Sequence, residues 1–156
     1  DVMTSTDPQE AEVVVGCDSM LEIAGQVVGK PADAAQARER WRMMSGGTGT
    51  LHTGHFLVRT ADGTTAEGVS SATIRFGSPS PAEVEAYIAS GEPLWCAGAF
   101  TIDGLGGAFI EGIDGDPHGV VGISLPLLRR LLADLDVVWT DLWAPPPVTR
   151  PADDAH

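Results

Sequence analysis

Two strand-like runs, residues 51–59 and 65–76, flank Ala61-Asp62-Gly63. An Asp-Gly step between such runs is a strong hairpin signal, because both residues accept the left-handed backbone that a tight turn requires. The chain is thereby committed to a long antiparallel pair, and any fold must be built around it. A shorter hairpin precedes it, with residues 21–23 and 26–28 on either side of Ala24-Gly25. The strand leading into this hairpin opens with the β-branched run Val13-Val14-Val15 and stops at Gly16-Cys17-Asp18-Ser19. The return of the hairpin brings Gly29-Lys30-Pro31 back toward Asp18. A carboxylate and a hydroxyl at a strand end, with a lysine folded beside them, are groups able to hold a metal and a phosphate chain together.

Helical segments alternate with these strands. Across 33–44, Ala34, Ala37, Trp41 and Met44 recur at helical spacing, with Arg38, Glu39, Arg40 and Arg42 between them as the wet face. Ser80-Pro81-Ala82-Glu83 combines a capping box with proline at the first helical position, and Val84, Tyr87 and Ile88 follow as an apolar face. Residues 97–113 read as strand, glycine turn and strand. A last helix at 125–135 has Arg129, Arg130 and Asp134 on its wet face. Residues 144–156, rich in proline and charge, read as a disordered tail, leaving one domain over 1–143. The fold class is α/β, with helices flanking a mixed sheet.

A chain of 156 residues with 43% hydrophobic content buries one sizeable core without staples. Its formal net charge of -13 excludes a surface that tracks nucleic-acid phosphates or anionic membrane, but leaves room for a small ligand in a local pocket. The two cysteines, Cys17 and Cys96, form no Cys-x-x-Cys pair, which argues against zinc and disulfide frameworks and for a reducing cytoplasm. The polar, acidic opening has the wrong character for a secretory signal, and no apolar run approaches a membrane span. With no initiator Met before a strand that enters the core directly, part of the natural domain is expected upstream.

Several segments recur in one order: Gly16-Cys17-Asp18-Ser19, Gly29-Lys30-Pro31, Ser45-Gly46, Thr53-Gly54, Ser90-Gly91-Glu92-Pro93, Ala97-Gly98-Ala99-Phe100, Ile102-Asp103-Gly104 and Val120-Val121-Gly122-Ile123. Singly each is weak. Together, over about residues 12–132, they resemble the Maf family of nucleoside triphosphate pyrophosphatases. The resemblance implies an inosine-triphosphatase-like fold, an elongated mixed sheet with a cleft between two lobes. It also implies a homodimer that hydrolyses nucleoside triphosphates to monophosphate and pyrophosphate with Mg²⁺ or Mn²⁺, as nucleotide house-cleaning.

By the same resemblance Asp18 takes the catalytic place as proton acceptor, with a role as metal ligand as its alternative. One carboxylate oxygen cannot do both. Lys30 is then the point charge on the triphosphate, fixed between Gly29 and Pro31. Ser19 offers a hydroxyl to base or sugar. Asp103 stands where pyrimidine-preferring members have glutamine; a carboxylate only accepts hydrogen bonds, so it favours a base edge that shows donors. Cys96, Gly49 and Gly119 replace a lysine, a histidine and an asparagine of the family, and His52, His55 or His118 are candidate substitutes. The family's N-terminal phosphate loop and a metal-binding glutamate are not among these residues, so the 156-residue chain alone is expected to be nearly inactive.

Each assignment has a plainer counterpart. Asp18 can cap a turn, Lys30 can be a solvated charge, and Asp103 can simply form its Asp-Gly turn. His52 and His55, three apart in a strand, should face opposite ways. Cys17 is expected to be a buried small residue, Glu92 to buttress the segment after its helix, and Trp41 to pack in the core. Trp95 is a possible stacking surface. The changed residues also motivate a second functional reading, a nucleotide-binding regulator with little turnover. A third, an interaction module in cell division, rests on the family's historical name alone.

Overall fold

The structure, a computed structural model, describes residues 12–143. Five strands form one sheet in the order β2-β1-β3-β4-β5: β1 (Val13–Ile23), β2 (Gln26–Val28), β3 (Thr48–Arg59), β4 (Thr65–Phe76) and β5 (Ile110–Asp114). Both expected hairpins are present, and Ala24 (φ 50°) and Gly25 (φ 77°) make the left-handed pair of the first turn. The α/β class stands, with one correction. Among the described residues every strand pairing is antiparallel, so this part of the sheet is not mixed.

Helix α1 (Ala34–Met44) starts at Asp33, whose side chain accepts from the Gln36 N–H, and α2 (Pro81–Ala89) carries the complete capping box of Ser80 and Glu83. Two further helices, α3 (Pro117–Val121) and α4 (Leu125–Asp134), follow β5. Residues 97–113 depart from the expected strand-turn-strand pattern. They hold short 3₁₀ turns at Ala97–Ala99 and Leu105–Phe109 before β5. Gly98 (φ 76°) and Ala99 (φ 63°) are both left-handed, which a strand cannot contain. The tail expected at 144–156 lies outside the described residues.

Side-chain alternation along β3 divides the buried side of the sheet into three zones. Leu51 joins a cluster with Leu21, Trp41, Ile74, Phe76 and Phe100 under α1 and α2, while Leu57 joins Leu127, Leu128, Leu131 and Leu132 of α4. Between them Thr53 and His55 are buried but polar. Trp41, 1% exposed, anchors the first cluster edge-on to Phe76, Tyr87 and Phe109 at 5.8–6.1 Å between ring centroids, and its indole N–H donates to the Ala99 carbonyl at 2.9 Å. That bond uses the carbonyl of the left-handed Ala99 and helps hold the segment leading to residue 103.

Candidate active site

Beside this polar waist, across the Ser19–Thr53 hydrogen bond, lies a cavity of about 540 Å³, within the range of small-molecule sites. Four consecutive β1 residues, Cys17, Asp18, Ser19 and Met20, line one side. Strand alternation gives neighbouring residues opposite faces, so four in a row mean that the cavity runs along the strand edge. That edge is open because β2 pairs only with Leu21, Glu22 and Ile23. Lys30, the single lysine of the chain, lines the cavity from just beyond β2. Its position is set from two sides. The Gly29 carbonyl accepts from the Arg40 guanidinium of α1 at 2.6 Å and from the Gly98 N–H at 3.2 Å.

Asp18 is exposed, and its Oδ1 accepts from the Ser19 N–H at 3.0 Å, leaving Oδ2 for a ligand. The hydroxyl of Ser19 is 2.8 Å from Thr53 Oγ1, which itself donates to the Gly119 carbonyl at 2.8 Å. Because Thr53 spends its one proton on Gly119, Ser19 must be the donor to Thr53. Ser19 therefore meets the cavity as an acceptor. Behind this relay His55 is buried, with Nδ1 donating to the Thr53 carbonyl at 2.9 Å and Nε2 accepting from the Ser124 N–H at 2.8 Å. This pairing fixes the neutral tautomer.

The opposite wall comes from the segment after α2. Glu92 accepts from Tyr87 Oη at 2.9 Å, from the N–H groups of Leu105 and Gly106 at 3.0 and 3.1 Å, and from the Thr101 hydroxyl. Burial alone would raise its pKa, but these four donors outweigh it and hold the carboxyl down to about 2. Burial is also the main reason that the Tyr87 phenol is pushed up. The loop is wound closely on this carboxylate: a Cβ on Gly104 would fall 2.6 Å from Glu92 Oε2, and one on Gly106 2.4 Å from Tyr87 Oη. Asp103, exposed, sits on this loop and lines the cavity with Trp95 and Cys96.

The structure thus brings Asp18, Ser19, Lys30 and Asp103 to one cavity. It does not bring the histidines there. His52 bonds Ser71 and Glu22, His55 is buried in the waist, and His118 pairs with Asp116. Of Cys96, Gly49 and Gly119, the positions that replace a lysine, a histidine and an asparagine of the family, only Cys96 lines the cavity. Gly49 is packed so that a Cβ would lie 3.0 Å from Leu21 Cδ1, and a Cβ on Gly119 would lie 2.8 Å from Ser70 Oγ.

Cys17 is exposed, not buried as expected, because it borders the cavity; partial burial still pushes its thiol up, as burial does for Cys96. Glu92 buttresses its segment as expected. Arg40, expected on the wet face of α1, is 8% exposed and supports the Lys30 turn. Its spacing of three from Ala37 and four from Met44 was the available signal.

Among the described residues, no three His, Cys, Asp or Glu side chains converge as a metal cluster. A Mg²⁺ ion bound largely through substrate phosphates needs only one or two carboxylates. The free Oδ2 of Asp18 fits that requirement.

The Maf-like protein family profile matches residues 1–135. A nucleoside triphosphate pyrophosphatase of Salinispora tropica is 53% identical over 152 residues, covering 96% of this chain and 67% of the relative. One from Streptomyces coelicolor is 56% identical over 133 residues, covering 85% and 65%. A nucleoside triphosphate pyrophosphatase/Nudix hydrolase fusion protein of Bifidobacterium longum is 51% identical over 138 residues, covering 88% of this chain and 29% of the fusion. The chain spans about two-thirds of the length of the first two relatives. With a profile match over most of its length and relatives above half identity, this chain belongs to the Maf family.

Proposed function

We propose that the cavity is the nucleotide site of a metal-dependent nucleoside triphosphate pyrophosphatase. The observation that carries this reading is the convergence of Asp18, Ser19 and Lys30 from one hairpin with Asp103 from a loop 73 residues further on than Lys30, at a single cavity. The relatives named as pyrophosphatases support it. Water attacks the α-phosphorus, the bond to the bridging oxygen breaks, and pyrophosphate leaves with that oxygen. Asp18 Oδ2 takes the proton of the attacking water, since Oδ1 is engaged by its neighbour's N–H. Lys30 holds phosphate oxygens as charge moves onto the leaving group. Mg²⁺ or Mn²⁺, held mainly by substrate phosphate oxygens, would supply further neutralisation of the triphosphate, and Asp18 as its ligand is the alternative to Asp18 as the base. On the family resemblance, the same reading takes the working unit as a cytoplasmic homodimer engaged in nucleotide house-cleaning.

The test incubates a panel of nucleoside triphosphates with Mg²⁺ or Mn²⁺ and measures monophosphate and pyrophosphate. It uses both this chain and a form extended to the length of the relatives. Pyrophosphate release is expected from the extended form and little from the shorter chain. Asp18→Asn should lower kcat by about 10²-fold or more while leaving nucleotide Kd nearly unchanged. Recovery of that variant by excess Mn²⁺ would reassign Asp18 as a metal ligand. One observation favours the second reading, a nucleotide-binding regulator: among the described residues Lys30 is the only cationic side chain lining the cavity. Binding without release, unchanged in Asp18→Asn, would establish it in place of the enzyme.

A further inference from the structure

Resting on the nucleotide reading above, we propose that Arg40 is a positioning residue of the phosphate subsite. From behind the Gly29–Lys30 peptide it fixes Lys30 and adds a second, buried positive charge, so that the site favours longer phosphate chains. Among the described residues Arg40 is the one buried side chain that carries a charge. Taking such a charge out of water is costly unless an anion answers it. Arg38, Arg42, Arg59 and Arg75 each pair with a carboxylate, but Arg40 pairs with none among the described residues. Its partners are neutral, the Gly29 carbonyl at 2.6 Å and Gln36 Oε1 at 3.4 Å. Burial pulls its guanidinium below the ordinary value with nothing to offset it, yet an arginine stays charged at neutral pH. The phosphates of the ligand supply the missing negative charge.

The guanidinium acts on Lys30 through the backbone. Gly29 and Lys30 share a trans peptide, so the Lys30 N–H lies on the side opposite the Gly29 carbonyl. That carbonyl takes two donors, Arg40 and the Gly98 N–H, and a peptide polarised in this way offers a stronger donor at its other end. Nothing among the described residues accepts from the Lys30 N–H. Gly29 and Lys30 both line the cavity, so a single residue offers the phosphate chain an ammonium and an amide donor. Beyond Lys30, Gln36 Oε1 also accepts from the Ala32 N–H at 2.7 Å, and Pro31 has its φ fixed by its ring. Helix α1 thus grips the turn on both sides of Lys30.

A fixed charge behind the site attracts every negative charge of the ligand at once, so its contribution grows with the phosphate chain. Loss of a merely structural buttress would weaken long and short chains alike.

The experiment uses two probes without a base, inorganic tripolyphosphate and orthophosphate, on the form extended to the length of the relatives. Affinities are read by calorimetry, with orthophosphate measured by competition. Arg40→Gln keeps a donor for the Gly29 carbonyl but no charge; it should weaken tripolyphosphate about tenfold and orthophosphate less than about twofold. Arg40→Met, neutral and similar in length, should behave alike and carries the test where Arg40→Gln does not fold. Arg40→Lys should recover most of the tripolyphosphate affinity. Combined with Lys30→Met, Arg40→Gln should cost less than it does alone, because part of its effect passes through Lys30. Unchanged tripolyphosphate affinity in Arg40→Gln, equal losses for the two probes, an Arg40→Lys variant no better than Arg40→Gln, or full additivity with Lys30→Met overturns the proposal. A selective loss of tripolyphosphate in a protein that hydrolyses no nucleoside triphosphate refutes the enzymatic reading and leaves this one standing. Hydrolysis that Asp18→Asn abolishes, with tripolyphosphate binding indifferent to Arg40, does the reverse. A wild type that binds neither tripolyphosphate nor any nucleotide refutes both.

Discussion

Glu92 accepts four hydrogen bonds, and this makes its ionisation part of the fold as well as of the site. Its carboxyl is held down to about 2 against an ordinary 4.5. The group therefore contributes stability that is fully present above about pH 4.5 and is lost as pH falls from there toward 2. Glu92→Gln should be less stable than wild type at pH 7, with the gap closing at pH 3, as read from urea midpoints at the two values. A constant gap would mean that the carboxylate's charge does not matter to the fold. At this scale the sequence was informative where a residue sits in a motif and silent where its role depends on partners. Asp18 and Lys30 were visible because a two-residue turn must fold one back toward the other. The relay from Ser19 through Thr53 to Gly119 was not, because its last acceptor lies 66 residues from Thr53 and is a backbone carbonyl.

The elements show the same division. Ser80 and Glu83 exchange both reciprocal bonds of the capping box, at 3.2 Å to the Glu83 N–H and 2.7 Å to the Ser80 N–H, as the local sequence predicts. Removing the hydroxyl in Ser80→Ala should cost about 1 kcal/mol, measured by urea unfolding, with faster amide exchange at Glu83. Capping and hairpin turns are decided within a few residues, which is why β4 and α2 were legible almost to the residue. The segment at 97–113 was misread because its alternation and glycines resemble a hairpin. Two distant groups override that pattern: the Trp41 indole takes the Ala99 carbonyl, and Glu92 takes the Leu105 and Gly106 N–H groups. A strand there would have needed those backbone groups for its own ladder.

In the molecule as a whole, the cavity lies where β1 runs past the end of β2, against the apolar cluster under α1 and α2, whose Leu51 and Phe100 line it. The Val13–Met20 edge of β1 away from β3 has no strand partner among the described residues, and an edge of that length is a template for another strand. That Asp18 and Asp103 share a cavity was legible only through the order of the family motifs, since no local rule brings residue 18 to residue 103. One consequence concerns Cys17 and Cys96. They are the only two cysteines in the chain, 79 positions apart, and both border the cavity. Burial pushes both thiols up, so the reactive thiolate is scarcer than for a free cysteine and alkylation should be slow for each. A nucleotide in the cavity should slow both reactions together, by severalfold at saturation when followed by intact-protein mass spectrometry. Unprotected labelling with nucleotide demonstrably bound would place the ligand elsewhere. The protein thus carries its own pair of chemical reporters, an occupancy gauge that needs neither turnover nor an introduced label.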